Sequence, residues 1–216
     1  MTPQAAVLTG DLIGSTEAAP GAIEAAMARI ARVNDRLLVP AHFARYRGDG
    51  WQLYLPSPGL GLATMILIAA DLRATGGLES RIALGLGAPY LDNISNFLEV
   101  DDLSSANGSA FIFSGRALDG MPKSQRLALA GEGTDILHQR LISMIDDRIS
   151  NWSREQAEAV ALALSPEGAL TQSQIAARLG ISRQAVAARL HAAGFSQING
   201  AATDFLHKFG AEPPHA

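Results

Sequence analysis

Two aspartates stand where their neighbours could put them to chemical use: Asp11 in GDLIGST and Asp49 in RGDGW. Each has an ordinary explanation, because an aspartate after a strand often caps a helix and Asp-Gly is a favoured hairpin turn. As a pair they say more. Carboxylates held at one sheet edge can share hard cations such as Mg²⁺ or Mn²⁺, held in part by substrate phosphates. Gly14, Ser15 and Thr16 follow Asp11 closely, and backbone N–H groups at a helix start bind phosphate readily.

A second group lies near the other end. The stretch TQSQIAARLGISRQAVAARLHAAGF, residues 171–195, carries Arg178, Arg183 and Arg189 and no acid. Thr171 and Gln174 fit a capping box, Ile175 and Leu179 face inward, and Ala176 is small enough for a crossing helix to approach. Gly180 supplies a left-handed turn, Ile181 plugs the corner, and Ser182 caps a second helix with Val186 and Leu190 as its buried stripe. This is helix-turn-helix grammar. The second helix would enter the major groove, with Arg183 suited to guanine and Gln184 to adenine. Ala187 would allow close approach, Ser182 and Arg189 suit phosphate oxygens, and His191 lies within reach of the nucleic-acid backbone.

The elements that must position these groups read from hydrophobic period and turn residues. A buried strand is expected over 5–9 and a helix over 19–38, with Ile23, Met27, Ile30, Val33 and Leu37 at helical spacing. Strands over 42–47 and 51–55 flank Gly48-Asp49-Gly50, and Pro56 and Pro58 precede an apolar helix over 60–72. A strand over 81–88 alternates Ile82, Leu84 and Leu86, and a polar, acidic loop spans 89–104. A helix over 110–118, a strand over 126–130 and a helix over 134–149 follow. The order β-α-β-β-α-β-α-β-α predicts an α+β sandwich, with a mainly antiparallel sheet and helices on one face. Strand 3 beside strand 1 would bring Asp11 and Asp49 to the same edge. Ser153 and Gln156 form another capping box, which places a boundary near 150: an α+β domain over 1–150 and a helix-turn-helix domain over 151–216.

Composition narrows the chemistry. The chain has 216 residues, 48% of them hydrophobic, a net charge of −4 and no cysteine, which excludes disulfides, thiolate zinc sites and a cysteine nucleophile. His42, His138, His191, His207 and His215 lack ligand spacing, and Ser15 has no evident base. The stripe Leu62, Met65, Ile66, Ala69 reads as core or a dimer seam. The longest apolar run, 60–70, is about half a membrane span, and no secretory leader is legible, so a cytoplasmic protein without a membrane partner is expected. The negative balance belongs to residues 1–150, with twelve basic and sixteen acidic side chains against five and five in 151–216.

DLIGST, the GDG hairpin and the strand RIALGLGAP together resemble the class III nucleotidyl cyclase homology domain. That resemblance implies a ferredoxin-like sandwich in which Asp11 and Asp49 bind two metals and catalysis occurs at a dimer interface. The chain more closely resembles the SatD-like family of bacterial regulators. Its members share a GD-I-S start, a GD hairpin, an R-x-G-x-G-x-G strand, a later A-D/N-G-x-A-F segment and a C-terminal helix-turn-helix. Here Ala83 stands at the first glycine of that strand motif, and ANGSAF occupies 106–111. Departures bear on activity. If Arg116 is the transition-state arginine, the apolar Ile112 stands where its partner asparagine should be. Arg45 stands where cyclases often carry a purine-reading lysine, and the partner carboxylate position falls near Ser105. Losing one preorganised donor costs on the order of 100-fold in rate.

The expectation is therefore a homodimeric transcription regulator that reads DNA, with a nucleotide, and Mg²⁺ or Mn²⁺, as effector of a binding pocket. The alternative is a divergent class III-type cyclase regulated by its helix-turn-helix. A third reading is a ligand-free scaffold whose aspartates are only caps and turns.

Overall fold

The computed structural model describes residues 5–37, 41–46, 48–90, 107–164 and 170–210. The fold is mixed α+β. Its elements are β1 (Ala5–Leu12), α1 (Ala22–Asn34), β2 (His42–Tyr46), β3 (Gly50–Leu55), α2 (Gly61–Thr75), β4 (Ser80–Gly87) and β5 (Pro89–Tyr90). There follow β6 (Asn107–Gly108), α3 (Ser109–Asp119), β7 (Leu127–Gly131), α4 (Ile136–Ser150), α5 (Arg154–Ala163), α6 (Gln172–Leu179), α7 (Arg183–Ala193) and α8 (Phe195–Phe209). The acidic loop expected over 89–104, Ser105 and the tail beyond Gly210 lie wholly or largely outside the described residues. Among the described residues no helix is long and apolar enough to cross a membrane.

The main sheet runs β2-β3-β1-β4-β7. All neighbours are antiparallel except β4 and β7, which are parallel. β1 sits at the centre because Ala5 to Leu8 are apolar on both faces, and all four are 0% exposed. Successive strand residues point to opposite faces. Ala6, Leu8 and Leu12 join the main core beneath α1 and α2, while Ala5 and Val7 pack against Ala110 and Phe111 of α3.

Helices thus cover both faces, whereas the sequence predicts one. The cause lies in β4, whose α3-facing positions include Gly85 and Gly87. A Cβ on Gly85 would overlap the Ala110 carbonyl oxygen and stand 2.5 Å from the Ser114 nitrogen. Without side chains there, α3 lies directly on the sheet, and Ser114 Oγ comes within 2.8 Å of Thr9 Oγ1.

α2 is buried on nearly every side, so its apolar stripe is core. α5 and α8 cover the face that the sheet leaves free. The apolar cluster runs without a break from Leu8 and Ile66 through Trp152 and Val160 to Ile175, Val186 and Phe205. Polar bonds tie the same junction near residue 150. Arg73 donates from Nε to the Trp152 carbonyl at 2.6 Å and from Nη2 to the Ser150 carbonyl at 2.7 Å. Trp152 Nε1 donates to the Ala193 carbonyl at 2.9 Å, and Arg36 Nη2 to the Ala161 carbonyl at 2.6 Å.

Candidate functional site

The hairpin and the sheet register bring the two aspartates together. Asp11 stands opposite Gly50 on β3, and Leu12 N donates to the Asp49 carbonyl at 3.2 Å. The ring of Trp51 occupies the space above Gly10. Its Nε1 donates to Ser80 Oγ at 3.0 Å, and that hydroxyl lies 2.7 Å from the Asp11 carbonyl oxygen. This buried brace fixes the end of β1.

What the Asp11 carboxylate faces is a guanidinium. Asp11 also stands opposite Arg81 on β4. Arg81 donates from Nε to Asp11 Oδ1 at 3.0 Å and from Nη2 to Asp11 Oδ2. The Asp11 hydrogen bonds, with the charges of Asp11 and Asp119, push the Arg81 pKa up. Ser15 Oγ donates to Asp49 Oδ2. Both Asp11 oxygens are therefore engaged by a fixed cation, and among the described residues no cluster of three or more His, Asp or Glu is gathered for a metal. As arranged, this donor set does not fit a two-metal centre, because Arg81 holds the place a cation would take.

The expected phosphate cradle is also different. Ser15–Glu17 is a single 3-10 turn after Gly14, which has φ 72°, and α1 begins only at Ala22. Gly14, Ser15 and Thr16 therefore do not open a long helix, and the Ser15 hydroxyl is turned onto Asp49. Arg45 is held by Glu24 of α1 at 2.7 and 2.9 Å and by the Gly48 carbonyl at 2.7 Å. Arg116 lies on the exposed side of α3 with Ile112 and opens on a cleft beside β7 and α4, which neither aspartate lines.

At the other candidate site the local signals act as their chemistry dictates. Thr171 Oγ1 accepts from Gln174 N at 3.3 Å, and Thr171 N donates to Gln174 Oε1 at 2.8 Å. Gly180 ends α6 at φ 65°, ψ 31°, a conformation that costs a residue with a Cβ about 1 kcal/mol or more. Ser182 Oγ then accepts from Ala185 N at 3.1 Å and starts α7. Ile175, Val186 and Leu190 are buried beneath the pair.

α7 presents Arg183, Gln184, Ala188 and His191 to solvent. Ala187 is turned partly inward and lines a hollow with Gln172, Leu190 and Phe195. Arg189 points the other way, toward α5, where its Nη1 lies 3.4 Å from Glu158 Oε2. It belongs to the side of α7 away from Gln184, and Ala188 takes the exposed place.

Sequence reasoning missed Arg81, although the alternation of Ile82, Leu84 and Leu86 fixes its face of β4. It missed the Trp51–Ser80 brace and α8 as well. The spacing of Ile198, Ala202, Phe205 and Phe209, all buried in α8, was the available signal for that helix. In comparisons with known proteins, no family model matches this chain and no curated protein matches it.

Proposed function

We propose that this protein is a cytoplasmic, sequence-specific DNA-binding regulator that acts as a dimer, with α7 as its reading helix. One observation carries the reading: Arg183 and Gln184 stand exposed in the first turn of a helix whose entry is set by the Gly180 turn and the Ser182 cap. That end of a recognition helix lies nearest the bases, and both side chains can make paired hydrogen bonds to a base edge. Arg178 and the acid-free stretch 171–195 supply charge for phosphates. A dimer would set two such helices on half-sites about one helical turn apart. The strand order β2-β3-β1-β4 with antiparallel neighbours supports the resemblance of residues 1–150 to the cyclase-homology sandwich, and so the SatD-like reading.

Selection of the full-length chain against a random duplex library should enrich one motif with two half-sites. Arg183→Ala and Gln184→Ala should each relax preference at one base position, by about 1–3 kcal/mol. Recovery of unenriched DNA, or an unchanged motif in both variants, would sink the proposal. The nucleotide-enzyme alternative draws support from the closeness of Asp11 and Asp49, but it requires Arg81 to leave Asp11.

A further inference from the structure

The cleft between the end of α3, the outer edge of β7 and the start of α4 has the composition of a binding site. It encloses about 490 Å³, within the range of roughly 300–1,000 Å³ usual for small-ligand pockets. Arg116 enters from α3 and Arg140 from α4, and no acidic residue lines the cleft. This distinguishes the two arginines from most others described in residues 1–150. Arg29, Arg45, Arg73, Arg81 and Arg126 are each bound to a carboxylate, and neither Arg116 nor Arg140 makes an ion pair among the described residues. Two cations gathered without a counter-charge raise the local positive potential and favour an anion between them.

The rest of the lining is selective. Met121, Pro122 and Ile136 offer an apolar surface, while Gln125 and Gln139 offer amides. β7 adds backbone groups, since among the described residues it pairs only with β4. Ile82 N donates to the Arg126 carbonyl and Glu132 N to the Leu86 carbonyl, so even-numbered residues turn to β4 and odd-numbered ones outward. On that outer edge Gln125 Nε2 caps the Leu127 carbonyl at 2.5 Å and Thr134 Oγ1 caps Gly131 at 2.7 Å. The Leu129 peptide is left facing the cleft.

We infer that this cleft binds a phosphomonoester of nucleoside size, with its phosphate between Arg116 and Arg140 and its body against Met121, Pro122 and Ile136. A phosphomonoester carries nearly two negative charges at neutral pH, which answers one guanidinium from each wall, and the fork of arginine matches phosphate oxygens. The inference does not rest on the DNA-reading proposal, whose residues lie on α7.

Calorimetric titration of the full-length protein with adenosine, uridine and guanosine monophosphates tests it, with adenosine and succinate as comparisons. At least one monophosphate should bind saturably, adenosine and succinate much more weakly. Arg116→Ala and Arg140→Ala should each weaken that binding about 10-fold or more. Both side chains are exposed, so the variants should keep the parent's circular dichroism and melting temperature. No saturable binding of any monophosphate at millimolar concentration overturns the inference. So does succinate binding as tightly as the nucleotide, or an affinity that survives both substitutions.

Discussion

Replacing Trp152 with phenylalanine asks whether residues on either side of 150 unfold as one body. Trp152 is 3% exposed, within the continuous core, and its Nε1 bonds the Ala193 carbonyl at 2.9 Å. Phenylalanine keeps most of the apolar contact, loses the donor and leaves a small void. A stranded buried acceptor costs about 1–3 kcal/mol, and the void adds about 1 kcal/mol, for a total of roughly 2–4 kcal/mol. At this chain length that corresponds to a fall of roughly 4–16 °C in Tm. The substitution also leaves Trp51, fully buried in the sheet, as the only tryptophan of the two in the sequence. Its fluorescence then reports the sheet while circular dichroism, dominated by helices, reports the whole. Both probes should shift together in a urea or thermal titration. If Trp51 keeps the parent's midpoint while helical signal is lost earlier, the two segments are separate units and the reasoning from the shared core fails.

Gly85→Ala should destabilise the fold by about 1–3 kcal/mol or more, because the added methyl has to displace α3 from β4; an unchanged urea midpoint would refute the close approach. Burial raises the Asp146 pKa despite a hydrogen bond from Arg126 N at 3.0 Å. The folded state therefore holds that proton more tightly, and its ionisation costs stability as pH rises from the usual aspartate range through the raised value. The Tm advantage of Asp146→Asn over the parent should grow across that window, and a difference independent of pH would count against the burial argument. Arg81→Met should free Asp11 and create or strengthen Mn²⁺ binding by calorimetry. Equal affinity in parent and variant would mean that Arg81 does not guard the site.

The parts of this molecule legible in its sequence are those fixed within a few residues. The boxes at Ser153 and Thr171, the turn at Gly180 and the Gly48-Asp49-Gly50 hairpin each involve bonds or pairs spanning five positions or fewer, so the local run of residues specifies them. The meeting of Asp11 and Asp49 was also legible, because the alternation of strands and helices leaves few ways to order the first three strands. The partner of Asp11 was not. Arg81 is 70 positions away, and the pairing depends on the register of β4 against β1. Arg189 shows the same limit at shorter range. Its charge made it a phosphate ligand in sequence terms, but the rotation of α7 on α5 turned it toward Glu158. The covered second face of the sheet was written in Gly85 and Gly87, yet a glycine in a strand signals close approach without saying what approaches.

The parallel pairing of β7 with β4 has a consequence for synthesis. β1, β3 and β4 are all complete by residue 87, but the strand that covers the outer edge of β4 begins at Leu127. During that interval the backbone groups of Ile82, Leu84 and Leu86 on that edge have no partner within the sheet. An unpaired edge between apolar faces is a template for a neighbouring chain. Ribosome-bound or truncated products ending before β7 should therefore be the sticky ones, and the short strand LALAG replaces that open edge with one on which Gln125 and Thr134 cap two outward carbonyls.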